Sequence, residues 1–392
     1  MDSPIDRIAP AEVGERLRIA REAAKLTQAD AASSISVART TLVAMEQGLR
    51  RVRIDELQQL AKLYKSSVNA LLRREAIFAD LAPKFRKLRE GSDASAEYAA
   101  QLLADLAKAE VELENLLGVQ RIRNYPPERP ILPGDVRAQA EQDAQELRQR
   151  LGLGHSPIHN LVTLLELELG VRVYVRRFDG RISGLFVYDE ALGACMLLNA
   201  NHPRERRTAT AGHETGHLVS TRRQPEILQD DAVESSRDER YANAFSSALL
   251  MPARSVMQKF KELTAGSARL TRRHIIVLAH FFSVSREAIV RRLEELDLTK
   301  PGTWDWFQNN GGITQEQARQ VLGDLETLDV DKADADRPTS LRLGLLAAEV
   351  SRQGLLSEGQ LARLLHLDRV ELRKMLDGIE IEGSEADGAF LP

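Results

Sequence analysis

Two histidines four residues apart constrain this chain more than any other feature. They stand in the run His213-Glu214-Thr215-Gly216-His217. A helix sets side chains at i and i+4 one above the other on a single face, so both imidazoles can converge on one metal ion. Glu214 lies between them and can point at a water on that metal. Zinc there would act as a Lewis acid and lower the pKa of the water towards ~7. Glu214 would take the proton and later pass it to a leaving amine. This is the HExxH logic of a metallopeptidase. A catalytic zinc needs three protein ligands and one open position, so a third ligand must come from elsewhere. Downstream acids that could supply it are Asp231, Glu234, Asp238 and Glu239. Glu239 opens a helix whose Ala242, Phe245, Leu249 and Leu250 form an apolar stripe fit to pack on the first helix. Asn243, one turn on, could fix a carboxylate or a metal-bound histidine from behind. Spacing alone does not choose between Asp238 and Glu239.

HETGH followed by E-R-Y-A-N-A-F-S-S-A-L-L-M-P resembles the ImmA/IrrE family of zinc metallopeptidases, whose pattern is HExxH and then E-x-x-A-N-x-F-A-x-x-L-L-M-P. The resemblance spans roughly residues 135–300. It implies His213, His217 and Glu239 as zinc ligands and Glu214 as the base. Two departures stand out: Thr208-Ala209-Thr210-Ala211-Gly212 supplies small residues where bulky ones are common before the first histidine, and Ser246 stands where alanine is usual.

Residues 12–72 read as a chain of short helices. The first places Val13, Leu17, Ile19, Ala20 and Ala24 at helical spacings. Thr27 suits the N-cap of a second helix, Gln28 to Ser34. A third runs from about Ala38 to Gln47 and ends at Gly48. A fourth starts near Ile54, and a fifth is expected from Ser67 to Arg73. Ala31 and Ala32 are small where two helices cross, and Val37, Leu42 and Met45 would bury the inner face of a groove-reading helix. Arg39, Thr40, Val43 and Ala44 would then face outward. Arg39 can donate a fork to guanine or phosphate. Thr27 and Gln28, at a helix N-terminus, suit a phosphate contact, and Arg50, Arg51 and Arg53 add charge for the DNA backbone. L-T-Q followed by S-V-A-R-T-T-L-V-A-M-E-Q-G is similar to the XRE (Cro/cI-type) helix-turn-helix family, with Ala31 for the usual leucine and Ala38 for the usual serine cap. Loss of that cap costs about 0.5–2 kcal/mol. The resemblance implies double-stranded DNA as a partner, and a homodimer that reads two half-sites.

Charge supports that polarity. Residues 1–74 hold 13 Lys/Arg against 9 Asp/Glu, whereas residues 301–392 hold 9 against 17. The basic end is the part whose charge favours phosphate. One cysteine, Cys195, rules out an intramolecular disulfide framework and any multi-cysteine metal site, and suits a reducing compartment. No basic-then-apolar leader or membrane-length apolar run is present, so the expected location is cytoplasmic, with no membrane partner.

Four of the 14 prolines fall within residues 126–133 and mark a domain boundary. Strand-like runs at Val171 to Arg176, Gly184 to Tyr188 and Ala194 to Leu198 suggest an antiparallel meander. Residues 277–298 resemble a second helix-turn-helix but read as packing. His274 and His280 are therefore expected to be structural, and His202 to lie in a surface loop. The expected architecture is multidomain and mainly α. It comprises an all-α helix-turn-helix domain (1–74), a helical linker (75–134), an α+β zincin-like peptidase domain with a small antiparallel sheet (135–300) and an acidic helical C-terminal region (301–392). Two functions fit. One is a DNA-binding zinc endopeptidase that cleaves a regulatory protein, such as a helix-turn-helix repressor, in a stress or mobile-element response. The other is a transcriptional regulator whose peptidase fold serves as a sensor.

Overall fold

The computed structural model describes residues 10–64, 71, 94–222, 226–229, 236–267, 269–323 and 340–384. The fifth helix expected at Ser67 to Arg73 and the acidic stretch 324–338 fall outside them, apart from Leu71. The chain divides into two compact units, one of residues 1–78, 108–121 and 346–361, the other of residues 79–107, 122–345 and 362–392. The fold is mostly helical, and no described helix is long and apolar enough to cross a membrane.

In the first unit, α1 (Pro10–Ala23), α2 (Gln28–Ser34), α3 (Arg39–Glu46) and α4 (Ile54–Leu63) close on a core that includes Val13, Leu17, Ala31, Ala32, Leu42, Met45, Leu57 and Leu60. Thr27 caps α2 in a reciprocal box with Asp30, while Ala38 leaves α3 without a side-chain cap. Ile19 is exposed, off the buried stripe that Val13 and Leu17 define. Under the core runs a buried polar tie. Arg21 donates to Glu46 from Nε (2.7 Å) and Nη2 (3.2 Å), and Gln28 Nε2 donates to the same carboxylate at 2.9 Å. Three helices thus share one buried ion pair. Part of α5 (Ala94–Leu117) also belongs to this unit, and its Glu110 and Glu114 pair with Arg121.

The second unit contains α6 (Val136–Arg150), α7 (Leu161–Leu167), β1 (Arg172–Arg176), β2 (Ile182–Asp189), β3 (Gly193–Asn199), α8 (Arg204–Ser220), β4 (Glu226–Gln229), α9 (Arg237–Leu250), α10 (Ala253–Thr264), α11 (Arg272–Phe282), α12 (Arg286–Glu295), α13 (Thr303–Asn309) and α14 (Gln315–Leu322). The sheet is mixed, in the order β1-β3-β2-β4. This corrects the antiparallel meander: β3 pairs antiparallel with β2 but parallel with β1, and β4 adds an edge the sequence did not reveal. The β2–β3 link is a tight hairpin, with Asp189 Oδ1 accepting from the amides of Ala191 and Leu192 and Gly193 at φ 82°. The β1–β2 link, residues 177–181, instead crosses the end of β3. Two strand spacings are about 9.5 Å, which five residues span. Asn199, the last residue of β3, holds this crossing: its Nδ2 donates to the carbonyls of Asp179 and Ile182, both at 2.8 Å. His202 is buried, not a surface residue, and its Nε2 donates to the Gly180 carbonyl at 2.7 Å.

Two other segments complete the unit. Residues 122–134, the proline-rich run, are laid along it as a strap. Asn124 N donates to Leu169 O, Arg129 N to Val219 O, and Tyr125 Oη to Gly170 O. From the C-terminal region, which holds α15 (Leu341–Arg352), α16 (Glu358–Leu364) and α17 (Arg369–Ser384), Arg342 N donates to Glu166 and Leu365 O accepts from Arg176. Burial pushes the Arg176 guanidinium down to about 10. The helix pair α11–α12 turns at Ser283 in the left-handed region and sends Ile275, Phe282, Ile289 and Leu293 into the core, as a packing element does. Cys195 is buried in β3.

Candidate metal centre and nucleic-acid interface

Helix α8 carries the HETGH run and lies on the sheet, where a side chain at Gly184 of β2 would meet Thr210 Cγ2 at 2.6 Å. Its opposite contact is α9, and small residues set the spacing. A Cβ at Gly216 would lie 2.9 Å from Ala242 Cα; one at Gly212 would lie 2.5 Å from Ser246 Oγ. At Gly216 the first atom met is α9 backbone, whereas at Gly212 it is the Ser246 side chain. The two departures from the family pattern therefore answer each other. Gly212 makes room for the Ser246 hydroxyl, which donates to Ala209 O at 2.8 Å. Ser236 caps α9 by accepting from the Glu239 amide, and Arg237 donates to the strap carbonyls of Leu132 and Gly134. Tyr241 donates to Asp143 of α6 at 2.8 Å, and Arg129 of the strap donates to the other oxygen of that carboxylate at 2.9 Å. The turn bearing Glu239 is thus held from the strap and from α6.

This packing brings His213, His217 and Glu239 together, and not Asp238; among the described residues they form the one cluster of metal-binding geometry. Asp231 and Glu234 lie outside the described residues. The two Nε2 atoms are 3.1 Å apart, and the Glu239 oxygens lie 3.4 Å from His213 Nε2 and 3.6 Å from His217 Nε2. Each ring is held from behind. His213 Nδ1 donates to Asn243 Oδ1 at 2.8 Å, and His217 Nδ1 shares a hydrogen bond with Thr221 Oγ1 at 3.0 Å. With Nδ1 of each ring engaged behind, the two Nε2 atoms and a carboxylate face one small volume. That donor set fits a divalent cation with nitrogen and oxygen preference, zinc above all. Burial, helped by the neighbouring His217 charge, pushes His213 down to about 4 against the pull of Glu239 and Asn243, so its ring is neutral and ready to bind metal at pH 7. Glu214 is fully buried beside His213. Both rings are walled in, whereas the Glu239 side chain keeps 18% exposure, so the cluster meets solvent on that side. Thr221, a residue sequence reasoning missed, has no signal of its own beyond lying four positions after His217. His274 serves as a cap, accepting from Thr271 N, and His280 is exposed.

In the helix-turn-helix unit, Arg39 and Thr40 are exposed at the start of α3, Val43 is half-buried and Arg51 is exposed. Three other expected DNA contacts already have structural partners. Thr27 is engaged with Asp30, Gln28 with Glu46, and Arg50 makes a two-point pair with Glu56 at 2.8 and 3.1 Å.

A helix-turn-helix unit joined to an α+β unit with a two-histidine, one-carboxylate cluster defines the class: a DNA-binding regulator with a peptidase-like domain. The family comparisons agree. Residues 167–294 match the IrrE N-terminal-like domain, a peptidase family, and residues 12–73 match a helix-turn-helix domain family. No curated protein matches the chain.

Proposed function

We propose that this chain is a DNA-binding, zinc-dependent endopeptidase that cleaves a regulatory protein. The observation that carries this reading is the convergence of His213, His217 and Glu239 with Glu214 buried beside them. His213, His217 and Glu239 would hold zinc, which supplies Lewis acidity toward a scissile carbonyl when bound. Glu214 takes a proton from the attacking water and delivers it to the leaving amine. Asn243 keeps His213 in the ligating tautomer. Arg39 and Thr40, with Val43 and Arg51, present the DNA-facing surface as one half of a homodimer. Thr27, Gln28 and Arg50 act by fixing the shape of that surface. A helix-turn-helix repressor is the substrate we favour, in a cytoplasmic stress or mobile-element response. The functional parts of this reading are the helix-turn-helix domain 1–74, the linker 75–134, the peptidase domain 135–300 and the C-terminal region 301–392.

Zinc-loaded protein incubated with candidate repressors, beside Glu214→Gln, tests the enzyme reading. Cleavage by the wild type alone is the expected result, and cleavage that survives the substitution overturns the assigned base. The exposed Arg39 favours a second reading, a regulator that senses without cutting. Under that reading, salt-dependent binding to its own promoter weakens in Arg39→Ala while no candidate repressor is cut.

A further inference from the structure

Three hydroxyl side chains lie in the last two turns of α8 and at its end, and they are used in two ways. Thr215 Oγ1 donates to Ala211 O at 2.6 Å, and Ser220 Oγ donates to Gly216 O at 2.9 Å. Both bond back to a carbonyl four residues earlier, the ordinary resort of such side chains inside a helix. Thr221 does not. It is the residue at which α8 stops, with φ −128° and ψ 39°. Leaving the helix frees its hydroxyl from the i−4 carbonyl and turns the oxygen to His217 Nδ1 at 3.0 Å. Its backbone N–H meanwhile donates to His217 O at 2.9 Å. Thr221 therefore grips His217 at two points, the main chain and the ring.

The grip is braced by the strap on both sides. Arg129 N donates to Val219 O at 2.7 Å. Arg222 donates from Nε to Leu218 O at 2.9 Å and from Nη2 to Pro126 O, and its guanidinium lies 5.5 Å from the ring centre of Tyr125 and 5.7 Å from that of Tyr188. The helix end that carries Thr221 is thus fixed by the proline-rich segment and not left to fray.

We propose that Thr221 is a positioning residue for the metal centre: its hydroxyl oxygen holds the His217 proton on Nδ1 and so keeps Nε2 as a ligand. The proposal rests on the metal reading of the cluster. The two histidines are then oriented by different parts of the fold. His213 depends on Asn243 and hence on the contact of α8 with α9. His217 depends on the end of its own helix. Both acceptors are neutral, so neither ring gains the basicity that a carboxylate partner confers.

The test uses the full-length protein, Thr221→Val, Thr221→Ser and His217→Ala, with zinc affinity measured by competition against a chromophoric chelator. Valine keeps the shape and removes the acceptor; serine keeps the acceptor. The expected result is a loss of about 10–100-fold in Thr221→Val, recovery to within a few-fold of wild type in Thr221→Ser, and unchanged melting of the metal-free proteins. A second readout on the metal-free protein follows histidine ring nitrogens by 15N NMR. His217 is expected in the Nδ1–H form in wild type and in a mixture with the Nε2–H form in Thr221→Val; this readout stands whatever valine does to stability. Wild-type zinc affinity and an unchanged tautomer in Thr221→Val, with affinity lost in His217→Ala, overturn the role of Thr221 alone. Undiminished affinity in His217→Ala overturns the metal reading and this proposal with it.

Discussion

Replacing Gly216 by alanine probes the contact on which the cluster depends. The added methyl would lie 2.9 Å from Ala242 Cα, 3.3 Å from its Cβ and 3.4 Å from its carbonyl oxygen. Carbon atoms rest at about 3.5–4.0 Å, so α8 and α9 must part by roughly 0.6–1 Å. The first atom met is backbone, and no rotamer change relieves the overlap. Overpacking of this kind costs about 1–3 kcal/mol. Alanine in a helix interior returns about 1 kcal/mol over glycine, which leaves a net loss of about 1 kcal/mol and a fall in melting temperature of about 2–4 °C. The effect on the site is larger than the effect on the fold. Glu239 rides on α9 and stands only 3.4 and 3.6 Å from the two Nε2 atoms. Separating the helices moves it away from both, and Asn243 moves with it. Thermal melting with and without zinc, together with chelator competition, reads both consequences. Zinc affinity should fall at least about tenfold while the metal-free protein stays folded. A Gly216→Ala protein that is as stable as wild type and binds zinc equally well would show that the helices are not held at contact.

Gly212→Ala meets Ser246 Oγ at 2.5 Å, so it should destabilise alone and recover in combination with Ser246→Ala; melting of the two single variants and the double variant measures that coupling. Glu46→Ala removes the carboxylate that Arg21 and Gln28 share in the helix-turn-helix unit and should cost about 3 kcal/mol in denaturant melts, whereas a loss below about 1 kcal/mol would deny the buried pair its role. The metal-free protein should lose stability on acidification. His213 titrates near 4 when folded against an ordinary 6.5, so the folded state binds fewer protons between those values. Its contribution is therefore full above about pH 6.5 and is lost as pH falls through about 4. The melting temperature of His213→Asn should vary less over that window than that of wild type, and equal slopes would contradict the assignment.

Where a local signal decides structure, the sequence was readable. Thr27 starts α2 and Met251-Pro252 ends α9 because caps and prolines act on their own neighbours. The i, i+4 histidines announced two members of the cluster because a helix fixes that spacing, while the choice of Glu239 over Asp238 came only with the family resemblance. What escaped depends on partners distant in sequence. Strand order turned on Asn199 carrying the 177–181 crossing, which no alternation pattern encodes. Four residues, Glu226–Gln229, are too few to announce a strand. Gln28 and Arg50 read as DNA contacts, and nothing local in the sequence shows that Glu46 and Glu56 stand beside them. The prolines of residues 126–133 marked a break in secondary structure, yet the segment containing them is tied to the second unit by hydrogen bonds.

Metal content of the purified full-length protein, wild type beside His217→Ala, tests the central claim most directly. The expected result is about one zinc per wild-type chain, the stoichiometry of a single three-ligand site, and its loss in the variant at unchanged fold. Wild-type protein that takes up no zinc, or a variant that retains it in full, would contradict the metal centre.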